Sequence, residues 1–310
     1  LLVGCTGFVG RELVPQLLAA KHQVILVSRK AASGFDQARQ TGQLEWLQIN
    51  PADPNSWLDG PLLTALAQVE GVVNLAGEPI AEQRWTAAHC QKLESSRLDT
   101  TRALVKAMSQ LKTPPRVLLN ASAVGYYGTS PDGYFTEKSP CGQDFLAHLC
   151  ERWEAAAAAK PSATRLVVVR IGIVLGPDGG ALGKMLPVFR LGIGGPVGSG
   201  LQWMSWIHRT DLCQLIEKAL KERAWSGVVN GVAPEPVPMA SFAAVLGKTL
   251  GRPSLLPVPG PLLKILLGDG ARVVLEGQQV VSERLAGLGF RFKYPDLCQA
   301  LSAATMPTPH

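Results

Sequence analysis

The chain has 310 residues, of which 46% are hydrophobic and only 17% charged, a balance that excludes a disordered polymer and suffices to bury a large core. Its 32 glycines and 23 prolines indicate many turns rather than a fibrous repeat. The formal charge of +6 comes from Lys and Arg scattered along the sequence, which argues against a nucleic-acid track but suits a polyphosphate ligand.

Leu1 opens directly into an apolar run, with no basic segment or cleavage site ahead of it. The expected location is therefore the cytoplasm, or the plastid stroma if a transit peptide preceded residue 1. Apolar runs of strand length occur at 1–3, 24–28, 71–75, 116–121 and 166–171. Continuous Val, Ile and Leu are what parallel strands covered on both faces require. Helical patterns fall between them at 10–20, at 95–111 with Pro114 and Pro115 beyond its end, and at 144–159 as an alanine-rich amphipath. The alternation predicts an α/β fold, a Rossmann-like doubly wound parallel sheet. Past Gly176, Gly-rich loops interrupt short apolar pieces, and a helix at 211–221 precedes a strand at 227–230. Residues 1–175, completed by about 207–232, are assigned to the dinucleotide-binding Rossmann domain. Residues 176–206 and 233–305 are assigned to a smaller α/β C-terminal lobe, and 306–310 to a tail. The longest apolar stretch, 261–267, is too short to span a bilayer.

Six cysteines, at 5, 90, 141, 150, 213 and 298, show neither Cys-x-x-Cys nor a zinc-like His spacing. They are expected to be buried or partly buried thiols in a reducing compartment, with no metal site.

The opening LLVGCTGFVGREL places Gly4, Gly7 and Gly10 between the first strand and the first helix. Such glycines let the backbone turn tightly and approach a pyrophosphate, which then sits at the positive end of the helix. The second strand ends in Ser28, Arg29 and Lys30, where an NAD site normally offers an acidic group to the ribose hydroxyls. A hydroxyl and two cations favour a 2′-phosphate instead, so the expected cofactor is NADP(H).

These glycines stand with VVNLAGEPI (72–80), NASAVGYYGT (120–129), RIGIVLGPDGGAL (170–182), GGPVGSGLQWMSWIHRTDL (194–212), NGVAPEPV (230–237) and GFRFKYPDLCQAL (289–301). Together they resemble, over essentially the whole chain, one branch of the extended short-chain dehydrogenase/reductases: the epimerase family of the 39U class. That branch includes bacterial relatives and the cyanobacterial and plastid proteins described as cell-division inhibitor homologues or giant-chloroplast proteins. The resemblance implies a Rossmann domain with NADP(H) along the carboxyl ends of the strands and a C-terminal lobe closing a cleft. It also implies that Thr6, Phe8 and Val9 belong to the pyrophosphate loop and that Ser28 and Arg29 hold the 2′-phosphate. Leu75, Ala76 and Gly77 then line the path of adenine and ribose, and Arg97 and Val174 touch the cofactor. At a further contact, a relative has Glu where this chain has Lys92.

Short-chain reductases place Tyr and Lys four apart on one helical face, the cation lowering the tyrosine pKa, with a Ser at the preceding strand end. Tyr134 and Lys138 have the spacing, but Pro140 follows too closely for a helix, and a surface loop is predicted. In the helix at 144–159 the pair would fall near Leu149 or Cys150 and near Trp153 or Glu154, where neither Tyr nor Lys occurs. Ser122 remains at the strand end as the candidate catalytic group facing the nicotinamide. Tyr126 is either its proton donor or an aromatic packed against cofactor or core. His208 reads as structural and Asp211 as a helix N-cap. Trp203 and Trp206, with Arg84 and Trp85, either line the cleft or pack between lobes. The function expected is that of a reductase or epimerase acting on a small carbonyl or sugar-derived substrate. The alternative is a non-catalytic NADP(H)-dependent regulator of cell or plastid division acting through a protein partner.

Overall fold

The computed structural model describes residues 1–29 and 35–306. From the N-terminus it runs β1 (Leu2–Val3), α1 (Gly10–Ala19), β2 (Val24–Ser28), α2 (Asp36–Gln40), β3 (Leu44–Gln48), α3 (Pro61–Gln68) and β4 (Gly71–Asn74). Next come α4 (Ala87–Gln110), β5 (Val117–Ala123), β6 (Tyr134–Phe135), α5 (Phe145–Ala158) and β7 (Arg165–Ile171). The second half runs β8 (Ile173–Leu175), α6 (Gly180–Arg190), β9 (Trp203–Met204), β10 (Trp206–His208), α7 (Arg209–Lys221) and β11 (Gly227–Gly231). The chain closes with β12 (Val237–Pro238), α8 (Met239–Leu250), α9 (Gly260–Leu267), α10 (Arg272–Leu275), β13 (Gln279–Val280) and α11 (Leu297–Thr305).

Seven strands form one parallel sheet in the order β11-β7-β5-β4-β1-β2-β3. The pleat sends alternate residues to opposite faces. Leu2, Leu26, Val73 and Leu119 meet Leu13 and Leu17 of α1 and Leu215 and Ile216 of α7. Val3, Val27, Val72 and Leu118 meet Leu62 and Leu66 of α3 and Leu104 and Met108 of α4. Both faces are covered, which is why the strands read as unbroken apolar runs. From β1 the chain lays β2 and β3 to one side and β4 onward to the other, so a crevice opens at the carboxyl ends of β1 and β4.

β3 and the start of α4 differ from the sequence expectation. β3 was not anticipated because Leu44–Gln48 is an edge strand whose Glu45 and Gln48 break the apolar run. α4 begins at Ala87, well before 95, because the Thr86 hydroxyl accepts from the His89 N–H at 3.2 Å. Its first turns bury few apolar groups and so leave no clear period.

In the smaller lobe, α6, α8 and α11 pack Leu186, Phe242, Leu246 and Leu301 around Trp206. Within the 233–305 segment assigned to that lobe, Leu285 and Phe290 instead enter the core on the α1–α7 face of the sheet. Asp211 is not the N-cap of α7. That place belongs to His208, whose Nδ1 accepts from the Thr210 N–H at 3.2 Å. Asp211 sits fully buried in the first turn and accepts the Lys293 and Tyr294 N–H groups at 2.6 and 3.1 Å, tying the late segment to α7. Cys298 is exposed, unlike the buried Cys5, Cys150 and Cys213. Among the described residues, no helix is long and apolar enough to cross a membrane.

Candidate functional site

The loop after β1 is shaped by two glycines and leaves room at the third. Gly4 has φ +75°, and a Cβ there would stand 2.5 Å from the Ala76 backbone, so the β1 and β4 loops touch. At Gly10 a Cβ would lie 1.8 Å from the Cys5 carbonyl oxygen, because α1 is seated directly on the strand end. At Gly7 a Cβ would meet nothing within 4 Å. The fold requires glycine at positions 4 and 10, whereas the space over Gly7 is open for a ligand brought against the backbone at a helix N-terminus.

The other expected cofactor residues are distributed as follows. Buried Ser28 ends β2, its hydroxyl accepting from the Trp46 indole at 2.9 Å. The Arg29 guanidinium is 69% exposed and reaches Glu78 at 3.8 Å. Lys30 lies outside the described residues. Leu75, Ala76 and Gly77 follow β4, and a Cβ at Gly77 would stand 2.9 Å from the Arg97 guanidinium. Arg97, on α4, is buried, donates to the Leu93 and Glu78 carbonyls at 3.0 Å each, and lies 5.3 Å over the Trp153 ring. Burial pulls its pKa below the usual arginine range, against the opposing fields of Cys150 and Glu78. Phe8 is clasped by the loop before α6, with the Arg209 guanidinium 4.7 Å over its ring, and Val9 packs against the core. Val174 lies on β8, its carbonyl 3.1 Å from where a Gly180 Cβ would stand. The residues present fit a dinucleotide: an open backbone loop at a helix start and two cations, the exposed Arg29 and the buried Arg97, whose hydrogen-bond acceptors among the described residues are backbone carbonyls.

Ser122 is the penultimate residue of β5, and Arg170 lies directly across from it on β7. The Ser122 Oγ donates to Glu154 Oε1 at 2.6 Å, and Arg170 clamps the same carboxylate with Nε and NH2 at 2.8 Å each. Arg170 NH1 reaches the Tyr127 hydroxyl at 3.0 Å, and that hydroxyl donates to Asn230 Oδ1 at 2.7 Å. Burial depresses the Arg170 pKa, but its hydrogen bonds and charge contact with Glu154 outweigh this and hold it above the usual range. Cys150, one turn before Glu154 on α5, is pushed up to about 11 by burial first and by Glu154 second, so its thiol stays protonated.

Tyr126 lies flat on Arg170, 3.3 Å from guanidinium carbon to ring centroid, and is not among the cavity-lining residues. Its partner is thus the Arg170 cation. Burial, ahead of the opposing Arg170 charge, raises its pKa.

Ser122 and Cys150 form part of the wall of a cavity of about 400 Å³ between β5, α5 and the segments 203–205 and 272–278. Trp85, Phe145, Leu149, Trp153, Ile173 and Trp203 make most of the wall apolar. Trp206 does not reach it, being 1% exposed in the lobe core with its indole on the Glu235 carbonyl at 3.0 Å. Arg84 is exposed in the adjoining recess beside Lys264. Among the described residues, no group of His, Cys, Asp and Glu is arranged to hold a metal ion.

Tyr134 and Lys138 are not among the residues that line this cavity. Tyr134 is 60% exposed, and Lys138 pairs with Glu283 at 3.0 Å. Residues 134–135 form a short strand beside β13, not a loop. The working group of the stretch is Glu137, which accepts the Asn230 and Glu283 N–H groups at 3.0 Å and the Ser282 hydroxyl. Sequence reasoning missed Glu154 and Arg170. The available signal was a charged residue inside the apolar run RLVVVRI.

The NAD dependent epimerase/dehydratase family matches residues 1–230, and a domain of unknown function, DUF1731, matches 258–304. The chain is 43% identical over 304 residues to a chloroplastic SDR39U1 homolog of Arabidopsis thaliana, covering 97% of this chain and 85% of that one. It is 39% identical to the Homo sapiens epimerase family protein SDR39U1, covering 97% of each. The crystal structure of human SDR39U1 (isoform 2) with NADPH superposes with a TM-score of 0.87 at 37% identity, over 98% of this chain and 97% of that one. A complex of MoeE5 with UDP-glucuronic acid and NAD shares the fold, with a TM-score of 0.77 at 20% identity over 97% of this chain and 96% of that one.

Proposed function

Because the chain belongs to the NAD dependent epimerase/dehydratase family, we propose that it binds NADP(H) and acts as a reductase or epimerase on a small carbonyl or alcohol with a largely apolar body. The relative crystallised with NADPH supports the cofactor, as does the cation at the end of β2. The loop Gly4–Gly10 and Arg97 would hold the pyrophosphate side, and Ser28 and Arg29 the 2′-phosphate. When bound, the cofactor supplies two-electron exchange with the substrate carbon.

The proton falls to this chain's own residues. Helix α5 has Cys150 and Glu154 where the Tyr-x-x-x-Lys pair of short-chain reductases is expected, so the pair is replaced. In the oxidative direction the substrate hydroxyl proton passes to Ser122 Oγ as Ser122 releases its own to Glu154 Oε1. In the reductive direction both transfers reverse. Arg170 holds the carboxylate in place, and the aromatic wall excludes water. The observation that carries this reading is the 2.6 Å bond between Ser122 and Glu154 at the wall of an apolar cavity.

The test is NADPH consumption by the purified protein across aliphatic and aromatic aldehydes and ketones, and NADP reduction with the matching alcohols. Turnover abolished by Ser122→Ala and strongly reduced by Glu154→Gln is the expected result. Tight NADPH binding without turnover across the panel refutes it. That result supports the second reading, favoured by the absence of Tyr and Lys from α5: an NADP(H)-dependent regulator of cell or plastid division with a protein partner.

A further inference from the structure

Arg29 follows β2 and Glu78 follows β4, and these strands flank β1. A contact between the two side chains must therefore cross the mouth of the crevice above the glycine loop. The contact is made, with Arg29 NH2 3.8 Å from Glu78 Oε2. The two partners are not equally held. The Glu78 N–H donates to Ser96 Oγ and its carbonyl accepts from Arg97, both at 3.0 Å, so the carboxylate stands on an anchored backbone. The Arg29 guanidinium is 69% exposed, and its distance to Glu78 exceeds a hydrogen bond.

We propose that Glu78 is a built-in competitor for the cofactor's 2′-phosphate and so sets how strongly NADP(H) is preferred to NAD(H). The proposal rests on the reading that NADP(H) is the cofactor. A phosphomonoester carries close to two negative charges and three acceptor oxygens, so it outcompetes a single carboxylate for the guanidinium. Arg29 has to leave Glu78 to take it. The abandoned carboxylate then stays within a Debye length of the phosphate, about 8 Å at physiological salt, and repels it. NAD(H) carries a ribose hydroxyl at that place, leaves the pair intact and bears neither cost.

The experiment is calorimetric titration of wild type, Glu78→Gln, Arg29→Ala and the double variant with NADPH and with NADH at low ionic strength. The anchors of Glu78 are backbone atoms, so Glu78→Gln retains them. An exposed ion pair of this kind limits the gain, and Glu78→Gln should tighten NADPH by about 1.5- to 5-fold. NADH affinity should not change, and the gain should shrink in the Arg29→Ala background, where only the repulsion between carboxylate and phosphate is left to relieve. Weaker NADPH binding in Glu78→Gln, an equal change for both cofactors, or a gain undiminished by the loss of Arg29 overturns the proposal. Loss of NADH binding alone would make Glu78 a ribose ligand and overturn it as well. Wild-type protein that fails to bind NADPH removes both this proposal and the cofactor reading, whereas normal binding with an unresponsive Glu78→Gln removes this one alone.

Discussion

Gly7 lies in the loop before α1 and Gly10 is the first residue of that helix, and alanine at each should fail for a different reason. At Gly10 the added carbon would sit 1.8 Å from the Cys5 carbonyl oxygen, a contact that only a backbone shift can relieve. Overpacking of that kind costs about 3 kcal/mol or more, and Gly10→Ala should unfold at clearly lower urea. At Gly7 the carbon would meet nothing within 4 Å, and the residue is not among the glycines with positive φ. Gly7→Ala should therefore be neutral or gain about 0.4–1 kcal/mol through the unfolded chain. Its cost appears only with ligand present. A methyl group between the loop and a pyrophosphate removes at least one charge-assisted hydrogen bond, about 1.5–3 kcal/mol, or about ten- to a hundredfold in affinity. Urea unfolding together with NADPH titration measures both. Wild-type NADPH affinity in Gly7→Ala would refute the argument that the open space belongs to the ligand.

Glu154→Ala leaves the Arg170 guanidinium, with a side chain 4% exposed, buried without its partner, and should cost about 3–5 kcal/mol in urea unfolding. A loss below about 1 kcal/mol would show that water replaces the carboxylate. Tyr134→Phe and Lys138→Ala should stay within about 0.5 kcal/mol of wild type and leave NADPH binding unchanged, whereas Glu137→Ala, losing an acceptor for three donors, should cost about 2–3 kcal/mol. Catalytic loss in Lys138→Ala with an intact fold would return that residue to the site. His208 is held neutral by burial, its pKa lowered from 6.5 to about 4, so protonation favours the unfolded chain. Its contribution to stability is full above pH 6.5 and is lost as the pH falls from about 6.5 to about 4. Wild type and His208→Gln compared by thermal melts across that range should show a shallower acid decline in the variant, and identical slopes would refute the assignment.

Much of the fold was legible because the information is local. Strands buried on both faces read as unbroken apolar runs, and β2 came out at its observed bounds, Val24–Ser28. The polar edge strand Leu44–Gln48 and the capped start of α4 were hidden because neither shows an apolar period. In the candidate site, the glycine loop and Arg29 were visible as a pattern around one strand–helix turn. The Trp pair was not resolved into roles: Trp203 faces the cavity, whereas Trp206, three residues on, is in the lobe core.

By itself the sequence determined the doubly wound sheet and the dinucleotide loop, because each follows from short-range backbone sterics and hydrophobic pattern. Only the tertiary structure decided what stands beside Ser122. Ser122 and Arg170 face each other because β5 and β7 pair in register, and Glu154 joins them because α5 packs over that pair. A buried carboxylate is tolerable only where a cation and a donor converge on it, and that convergence is a property of strand adjacency, which residue spacing along the chain does not encode.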